Sequence, residues 1–320
     1  MFLKFKKFIF KIDSILVGWR LDMVLSLFYK QYTRIYINNM IRCGYCTINN
    51  IVTLKPCTKI NLGDIICVKF YYTGSVIWLP SYSKELVLDV VYEDFEVIVI
   101  NKSSNTVVHP GNGVLSGTIV NTLLLRYPFL RELPRAGIVH RLDKDTTGIF
   151  IVAKSPQSYY NLILQFRIRE VLKTYIAVIF GGLQKKNLAI KEYMYDNNKG
   201  NNKVLSLISL TYIRVDSFLK VNGNTYCYVR AYPKTGVRHQ IRKHFLKLGC
   251  YIIGDSFYKS ILNKTTVRRV NNSGCLLYDK FERVALHSTQ LVILHPMYKR
   301  YVFFESKLPK DMVKLYRNVS

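Results

Sequence analysis

The feature that most constrains this chain is a charged segment set between two apolar runs. Residues 140–148 (HRLDKDTTG) place five ionisable side chains in six consecutive positions. The runs on either side, 137–139 and 149–153, have the branched, apolar composition of buried strands. Because charges beside a core are costly to desolvate unless they are paired or used, the segment is a candidate active site. The alternative from the residues alone is a solvated turn in which Asp145 or Thr146 caps a local bend.

The composition indicates a folded protein with a polyanionic partner. The chain has 320 residues, 49% of them hydrophobic, which is enough for two domains and a core. Lys and Arg number 47 against 20 acidic residues, so the net charge is +27, spread along the whole chain. Basic surfaces bind phosphate backbones by releasing counterions, which favours a nucleic acid. A membrane surface is the competing partner, but no convincing basic amphipathic helix or lipidation signal supports it.

Targeting and metal-binding signals are weak in this sequence. Residues 1–11 interleave lysines with apolar side chains, and no segment reaches the ~20 apolar residues of a membrane span. We therefore expect a cytoplasmic protein, with a mitochondrial presequence as the open alternative. Cys43 and Cys46 have the spacing of half a zinc site, but neither a second pair nor a nearby histidine completes it. We expect free thiols and no metal.

Four segments are predicted along the chain. Residues 1–19 form an N-terminal extension, 20–70 a compact unit, 71–85 a linker and 86–320 a larger domain. The compact unit has the pattern of two helices followed by short strands. Its details are an apolar helical stripe (Leu21, Val24, Leu25, Phe28), a second helix from the N-cap Thr33 to Gly44, a hairpin turn at Asn49-Asn50 and a strand at 65–70. Its arginines Arg20, Arg34 and Arg42 are expected on exposed faces.

The larger domain is predicted to mix strands and helices. The strands are at 86–92, 95–100 and 174–180, the helices are at 118–127, 158–169 and 238–248, and 196–203 is a surface loop. Strand alternation places Tyr175, Ala177 and Ile179 on one face.

The predicted helix 238–248 buries Ile241, Phe245 and Leu248. Arg238 and Arg242 then share a face at i, i+4, where like charges repel by a few tenths of a kcal/mol, so an anion beside them would be stabilising. A solvated basic face is the alternative.

Several motifs resemble those of the RluA-type RNA pseudouridine synthases. His140-Arg141-Leu142-Asp143 followed by Thr146-Thr147-Gly148 is similar to the family signature, and the longer string from Pro134 resembles the large-ribosomal-subunit pseudouridine synthase D branch. Residues 235–242 (TGVRHQIR) resemble a second motif, with Val237 where Arg is usual, and 173–177 (KTYIA) a third. The resemblance covers 86–315 at its motifs and, loosely, 20–70.

The resemblance implies an α+β fold. It consists of an N-terminal S4-like RNA-binding domain and a catalytic domain built on a mixed, largely antiparallel sheet with flanking helices. The implied activity is cofactor-free isomerisation of uridines to pseudouridine in 23S rRNA of the large ribosomal subunit, by a monomer. The alternatives are a non-catalytic S4-type RNA-binding or ribosome-assembly factor, and the same chemistry on tRNA.

The resemblance also implies roles for individual residues. Asp143 would be the catalytic carboxylate, acting as nucleophile or base on a flipped-out uridine, and Asp145 would be structural. Arg242 would pair with Asp143, and Tyr175 would stack on the target uracil. Arg141 would help to extrude the nucleotide. The remaining RNA-binding residues are Arg238 in the catalytic domain and Arg34 in the S4-like domain.

Overall fold

The computed structural model describes residues 5–29, 34–71, 86–109, 114, 117–196, 205–265, 278 and 280–317. The chain divides into two compact units, Met1–Leu79 and Pro80–Ser320. Among the helices described, none is both long and apolar enough to cross a membrane.

The first unit packs two helices on a four-stranded antiparallel sheet. The elements are α1 (Leu21–Phe28), α2 (Arg34–Arg42), β1 (Phe5–Lys11), β2 (Cys46–Ile48), β3 (Ile51–Val52) and β4 (Ile65–Tyr71). The strand order is β1-β4-β2-β3. Asn49 and Asn50 adopt φ of 51° and 66°, the left-handed conformations that a two-residue hairpin turn requires. Both helices, the hairpin and the last strand are therefore confirmed.

Two details of the first unit differ from expectation. The apolar stripe of α1 is buried only as far as Leu25: Phe28, the last residue of the helix, is 52% exposed, with its ring against Phe10. Part of the predicted extension 1–19 forms β1, whose seven residues pair with β4 and add an edge strand to the sheet. The predicted N-cap Thr33 and the predicted linker beyond Tyr71 lie outside the described residues.

The second unit is built on one mixed sheet. Within the described residues its strands are β5 (Val90–Glu93), β6 (Val97–Lys102), β7 (Thr147–Ala153), β8 (Leu172–Phe180), β9 (Asn187–Asp196), β10 (Leu205–Val221), β11 (Asn224–Pro233), β12 (Tyr251–Ile252), β13 (Leu286–Leu294) and β14 (Tyr301–Glu305). The order is β5-β6-β7-β13-β8-β11-β10-β9, with β12 beside β8 and β14 beside β13. Only the described pair β7–β13 is parallel, so a mixed, largely antiparallel sheet is confirmed.

Helices flank this sheet. They are α3 (Ile119–Arg126), α4 (Pro156–Arg167), α5 (Gln240–Lys247), α6 (Ser256–Thr265) and α7 (Lys310–Arg317). The N-caps of α3 and α4 are Thr118 and Ser155, each in a capping box with the residue three positions later. The predicted helices 118–127 and 158–169 and the strand at 174–180 are confirmed, while the strands expected at 86–92 and 95–100 are shifted to β5 and β6. Most of the predicted loop 196–203 lies outside the described residues.

The apolar run before the charged segment is not a strand. Pro134–Gly137 form a tight turn in which Arg135 and Ala136 have positive φ of 55° and 52°, and only a single bridge joins Ile138 to Val152 of β7. Gly137 has a φ of 75°, and a Cβ there would lie 2.1 Å from the carbonyl oxygen of Ala153. Gly137 therefore lets the backbone approach the end of β7 closely, next to the Ile138–Val152 bridge.

The helix predicted at 238–248 begins later than expected. His239 adopts a left-handed conformation with a φ of 57°, and α5 starts at Gln240. Arg238 therefore lies before the helix, and the predicted i, i+4 relation with Arg242 is wrong. Ile241 and Phe245 are buried as expected, but Leu248 caps the C-terminus and is 37% exposed.

Candidate active site

Asp143 lies in a turn immediately before β7. The Thr146 N–H donates to the Asp143 carbonyl oxygen at 3.1 Å, which closes the turn. Gly148, with a φ of 108°, lets β7 approach β13 so closely that a Cβ would lie 2.1 Å from the Ser288 carbonyl oxygen. The turn therefore sits where the parallel pair β7–β13 begins, with the Asp143 side chain 21% exposed.

A buried lysine holds this turn. Lys102, at the end of β6, donates from Nζ to the carbonyl oxygens of Ser103, Thr106 and Lys144 at 2.8, 2.9 and 2.8 Å. Burial lowers the pKa of Lys102 to about 7, while Asp145 and Asp143 oppose the shift. Three acceptors match the three N–H groups of an ammonium, so the lysine fixes the backbone beside Asp143.

His140 is a packing residue that orders the segment leading to the turn. Its Nε2 accepts from the Ile151 N–H at 2.9 Å, and its ring stacks on Phe150 and Phe166 with centroids 4.8 and 4.9 Å away. Burial lowers its pKa to about 3, with a smaller effect from Lys173. The imidazole is therefore a neutral acceptor that positions the loop.

Arg242 lies between two carboxylates. It donates from Nε and Nη2 to Oδ2 and Oδ1 of Asp255, at 2.6 and 2.9 Å, and its Nη1 is 3.6 Å from Oδ2 of Asp143. The Tyr258 ring centroid lies 4.8 Å from its guanidinium carbon. Burial opposes the charge of Arg242, but Asp255 and then Asp143 more than offset this and raise its pKa. The predicted proximity of Asp143 and Arg242 is therefore present, with an additional buried carboxylate behind the arginine.

His239 adds a polar group to the same cluster. Its Nε2 is 3.8 Å from Oδ2 of Asp143, and its Nδ1 is 3.2 Å from the Tyr258 hydroxyl. Burial lowers the pKa of His239, Asp143 opposes this, and Arg242 lowers the pKa further. The imidazole is therefore biased toward its neutral form.

Tyr175 contributes an aromatic wall from β8. It is 9% exposed and, like Ala177 and Ile179 on the same strand face, belongs to the core. Burial raises its pKa to about 12, with a hydrogen bond from Ser288 acting in the opposite direction. The phenol is therefore neutral at physiological pH, and its ring borders the cavity beside Asp143.

A cavity of about 550 Å³ joins these groups. It is lined by five of the six predicted site residues: Asp143, Arg141, Tyr175, Arg238 and Arg242. Its lining contains one acidic residue, Asp143, and seven Lys or Arg residues: Arg141, Arg167, Arg169, Lys173, Lys234, Arg238 and Arg242. The basic residues of the cavity suit a polyanionic ligand, and the single carboxylate is placed to contact one part of that ligand.

The sixth predicted residue, Arg34, belongs to the first unit. Its Nη2 lies 2.7 Å from Oδ2 of the buried Asp22, which also accepts from Arg20 Nε at 3.0 Å. The Arg34 side chain is nevertheless 50% exposed. It therefore combines a structural ion pair with a guanidinium accessible to solvent.

The loop before α5 is held by Gln240. Its Oε1 accepts from the Val237 N–H at 3.0 Å and from the Thr235 hydroxyl at 2.6 Å. Val237 occupies the position where the resembling motif has Arg, and its side chain borders the cavity. Arg238 is exposed at the cavity and takes no part in the helix.

Sequence reasoning missed Asp255, Lys102 and His239 as site residues. Asp255 follows Gly254, whose φ of 77° and lack of a side chain let the turn pass the Arg283 carbonyl oxygen, 1.8 Å from where a Cβ would stand. A Gly-Asp turn in the sequence was the available signal, but nothing in it indicates which cation the carboxylate meets. Cys43 and Cys46 are free thiols, and the described residues contain no cluster suited to a metal ion.

Known proteins share both sequence and fold with this chain. The family model of RNA pseudouridylate synthase matches residues 96–247. Ribosomal large subunit pseudouridine synthase D of Blochmanniella floridana is 33% identical over 310 residues, covering 93% of this chain and 94% of that protein. The protein of the same name from Buchnera aphidicola subsp. Acyrthosiphon pisum (strain APS) is 33% identical over 303 residues, covering 94% of each.

A solved structure shares the fold of this chain. Human RNA Pseudouridylate Synthase Domain Containing 1 superimposes with a TM-score of 0.52 and 23% identity, covering 71% of this chain and 86% of that one. With a relative one-third identical over nearly its whole length, this chain belongs to the RNA pseudouridylate synthase family.

Proposed function

We propose that this chain isomerises specific uridines to pseudouridine in 23S rRNA of the large ribosomal subunit, without a cofactor. The observation that carries the proposal is the Asp143 carboxylate, 3.6 Å from the partly buried Arg242 guanidinium in a basic cavity. The relatives named as large-subunit pseudouridine synthases support the choice of substrate. A monomeric, cytoplasmic protein is part of the same proposal.

The reaction needs a single ionised carboxylate beside the ribose. The N1–C1′ bond of the uridine breaks, the uracil turns, a C5–C1′ bond forms, and the proton on C5 is lost as N1 gains one. Asp143 serves either as the nucleophile at C1′ or as the base for the 2′ proton. In both roles it must be charged, and Arg242 stabilises that charge.

The target base must leave its stack to reach this carboxylate. Enzymes that act on a base extrude the nucleotide into a pocket. Tyr175 offers a ring for the uracil, and stacking contributes about 1–3 kcal/mol per base. Arg141, exposed at the cavity, fills the space that the nucleotide leaves, and Arg238 contacts the adjoining backbone.

The first unit is proposed to grip RNA as an S4-like domain. Two helices followed by a hairpin and a strand support this assignment. Arg34 presents its half-exposed guanidinium for phosphate contact while Asp22 fixes its orientation.

The test is pseudouridine mapping on RNA treated with the purified protein. Deproteinised 23S rRNA should gain pseudouridine at defined sites with wild type, and Asp143→Asn should lower the rate at least about 10³-fold while RNA affinity stays unchanged. Asp145→Asn is the matched control, because it removes a neighbouring carboxylate that is not among the cavity-lining residues.

Three outcomes would change the proposal. Pseudouridine in tRNA but not in rRNA would reassign the substrate. Wild type that binds RNA and modifies none would indicate an RNA-binding or ribosome-assembly factor. Loss of activity in Asp145→Asn with retention in Asp143→Asn would move the chemistry to the other carboxylate.

A further inference from the structure

The cavity contains a second charged region that the isomerisation itself does not use. Lys173 lies two residues before Tyr175 in β8, and both line the cavity. Strand alternation puts the two side chains on one face, about 6.6 Å apart along the strand. The Lys173 ammonium donates to the Thr235 carbonyl oxygen at 3.1 Å. An ammonium has three donors, so this contact leaves it able to bind an anion.

The charged residues around Lys173 in the cavity lining are basic. Burial, with a smaller contribution from the neighbouring Lys234, lowers the pKa of Lys173 to about 8. Arg167 at the end of α4 and Arg169 just beyond it line the same cavity. A partly buried ammonium next to other cations is unfavourable until an anion binds beside it, and the exposed Arg167, Arg169 and Lys234 add positive charge to the same cavity. This region therefore differs from that of Arg242, where two carboxylates already supply the counter-charge.

We propose that Lys173 and Lys234 bind a backbone phosphate next to the nucleotide whose base packs on Tyr175. The inference rests on the proposed function, because that function places the uracil on the ring. Both residues line one cavity from the same face of β8, so a phosphate bound by Lys173 would lie beside the base that packs on Tyr175. A lysine acts on phosphate as a point charge, which suits a contact that fixes register without reading sequence.

The competing role for Lys173 is support of the Thr235 loop through its carbonyl oxygen. Protonation separates the two roles. The titratable groups acting on Lys173 are Lys234, from the segment after β11, and His140, from the loop before β7; Arg167 and Arg169 also face the cavity. His140, with a pKa of about 3, stays neutral across the test range. A phosphate contact should weaken as pH rises through about 8, where Lys173 loses its charge.

The experiment measures binding and turnover separately in the full-length protein. Binding is followed by fluorescence anisotropy of a labelled single-stranded oligouridine RNA at several salt concentrations, and turnover by pseudouridine formation in deproteinised 23S rRNA. The variants are Lys173→Gln, which removes the charge but keeps a polar N–H donor on a side chain one atom shorter, and Lys173→Arg, which keeps the charge at every pH tested. Lys220→Gln, an exposed lysine of β10 that does not line the cavity, is the control.

Lys173→Gln should weaken RNA binding about tenfold and reduce the slope of log affinity against log salt by about 0.7, with KM raised and kcat within about twofold. Lys173→Arg should restore affinity and abolish its decline above pH 8. The proposal is overturned if Lys173→Gln matches Lys220→Gln, or if kcat falls while affinity and salt slope stay unchanged. If wild type forms no pseudouridine yet Lys173→Gln changes the salt slope, the proposed function fails and the phosphate site stands.

Discussion

The two charged regions of the cavity differ in whether the protein itself supplies the counter-charge. Around Arg242, the protein supplies two carboxylates, one buried and one facing the cavity, at 2.6 and 3.6 Å. Around Lys173, the strongest charged neighbour is another lysine. The first region is compensated before any ligand arrives, whereas the second is left for a ligand to neutralise. The difference separates the group that must be held in place for a reaction from the groups that attract a substrate.

Compensation at Arg242 fixes geometry as well as charge. Asp255 accepts from both Nε and Nη2 of the guanidinium, and its Oδ1 also accepts from the Tyr258 N–H at 3.1 Å. The fork is thereby oriented so that Nη1 faces Asp143. Groups that stabilise a reacting carboxylate are most effective when they need no reorganisation during the reaction.

The largest effect on this comparison is expected from Gly254→Ala. The new Cβ would meet the carbonyl oxygen of Arg283, so the turn must move and carry Asp255 away from Arg242. We expect at least a 100-fold loss of single-turnover rate, since a misplacement of about 1 Å can cost this much, and destabilisation of about 3 kcal/mol. Calorimetry and rapid-quench pseudouridine assays measure the two effects.

Gly223→Ala is the matched control for that change. Gly223 has the same φ of 77°, but nothing lies within 4 Å of its Cβ position. It should cost about 1 kcal/mol from backbone conformation alone and leave the rate unchanged. If Gly254→Ala behaves in the same way, the close approach at Arg283 does not position Asp255.

A smaller effect is expected when the charge of Asp255 is removed and its shape kept. Asp255→Asn leaves the partly buried guanidinium of Arg242 with Asp143 as its remaining carboxylate, so kcat should fall about 10- to 30-fold while KM for RNA changes little. Single-turnover and steady-state assays separate the two constants.

Asp311→Asn tests whether any lost Arg–Asp pair has this effect. Asp311 accepts from Nε and Nη2 of Arg283 at 2.6 and 2.8 Å, the same two-bond arrangement, and it does not line the cavity. It should change stability slightly and kcat not at all. Equal losses of kcat in Asp255→Asn and Asp311→Asn would refute a positioning role for Asp255.

The contrast also marks where sequence reasoning succeeded and where it could not. Asp143 and Tyr175 could be assigned to one pocket because both lie in segments that resemble motifs of one family, whereas strand alternation alone gave only the face on which Tyr175 lies. Asp255 could not, because a carboxylate 13 positions beyond Arg242 meets it only through a turn that depends on the backbone of Arg283. A contact that depends on such a turn does not follow the regular spacing of a helix or a strand, so the sequence does not indicate it.

The misplaced start of α5 has a similar cause. Apolar spacing from Ile241 onward indicates a helix but says nothing of the conformation at His239. The left-handed residue there follows a loop fixed by Gln240, which accepts from Thr235 and Val237. The missed strand β1 was obscured by composition, because lysines at its exposed positions made an edge strand look like a charged extension.

The smallest effect is expected at Tyr175, which shares the cavity with both regions. Its pKa of about 12 keeps the hydroxyl neutral, so Tyr175→Phe removes no charge from either region and leaves the ring in place. We expect less than about a threefold change in single-turnover rate and unchanged RNA affinity, because the loss is limited to one hydrogen bond. Tyr175→Leu, which removes the stacking surface, should cost at least about fivefold more. A large loss in Tyr175→Phe would instead show that the hydroxyl takes part in the reaction beside Asp143.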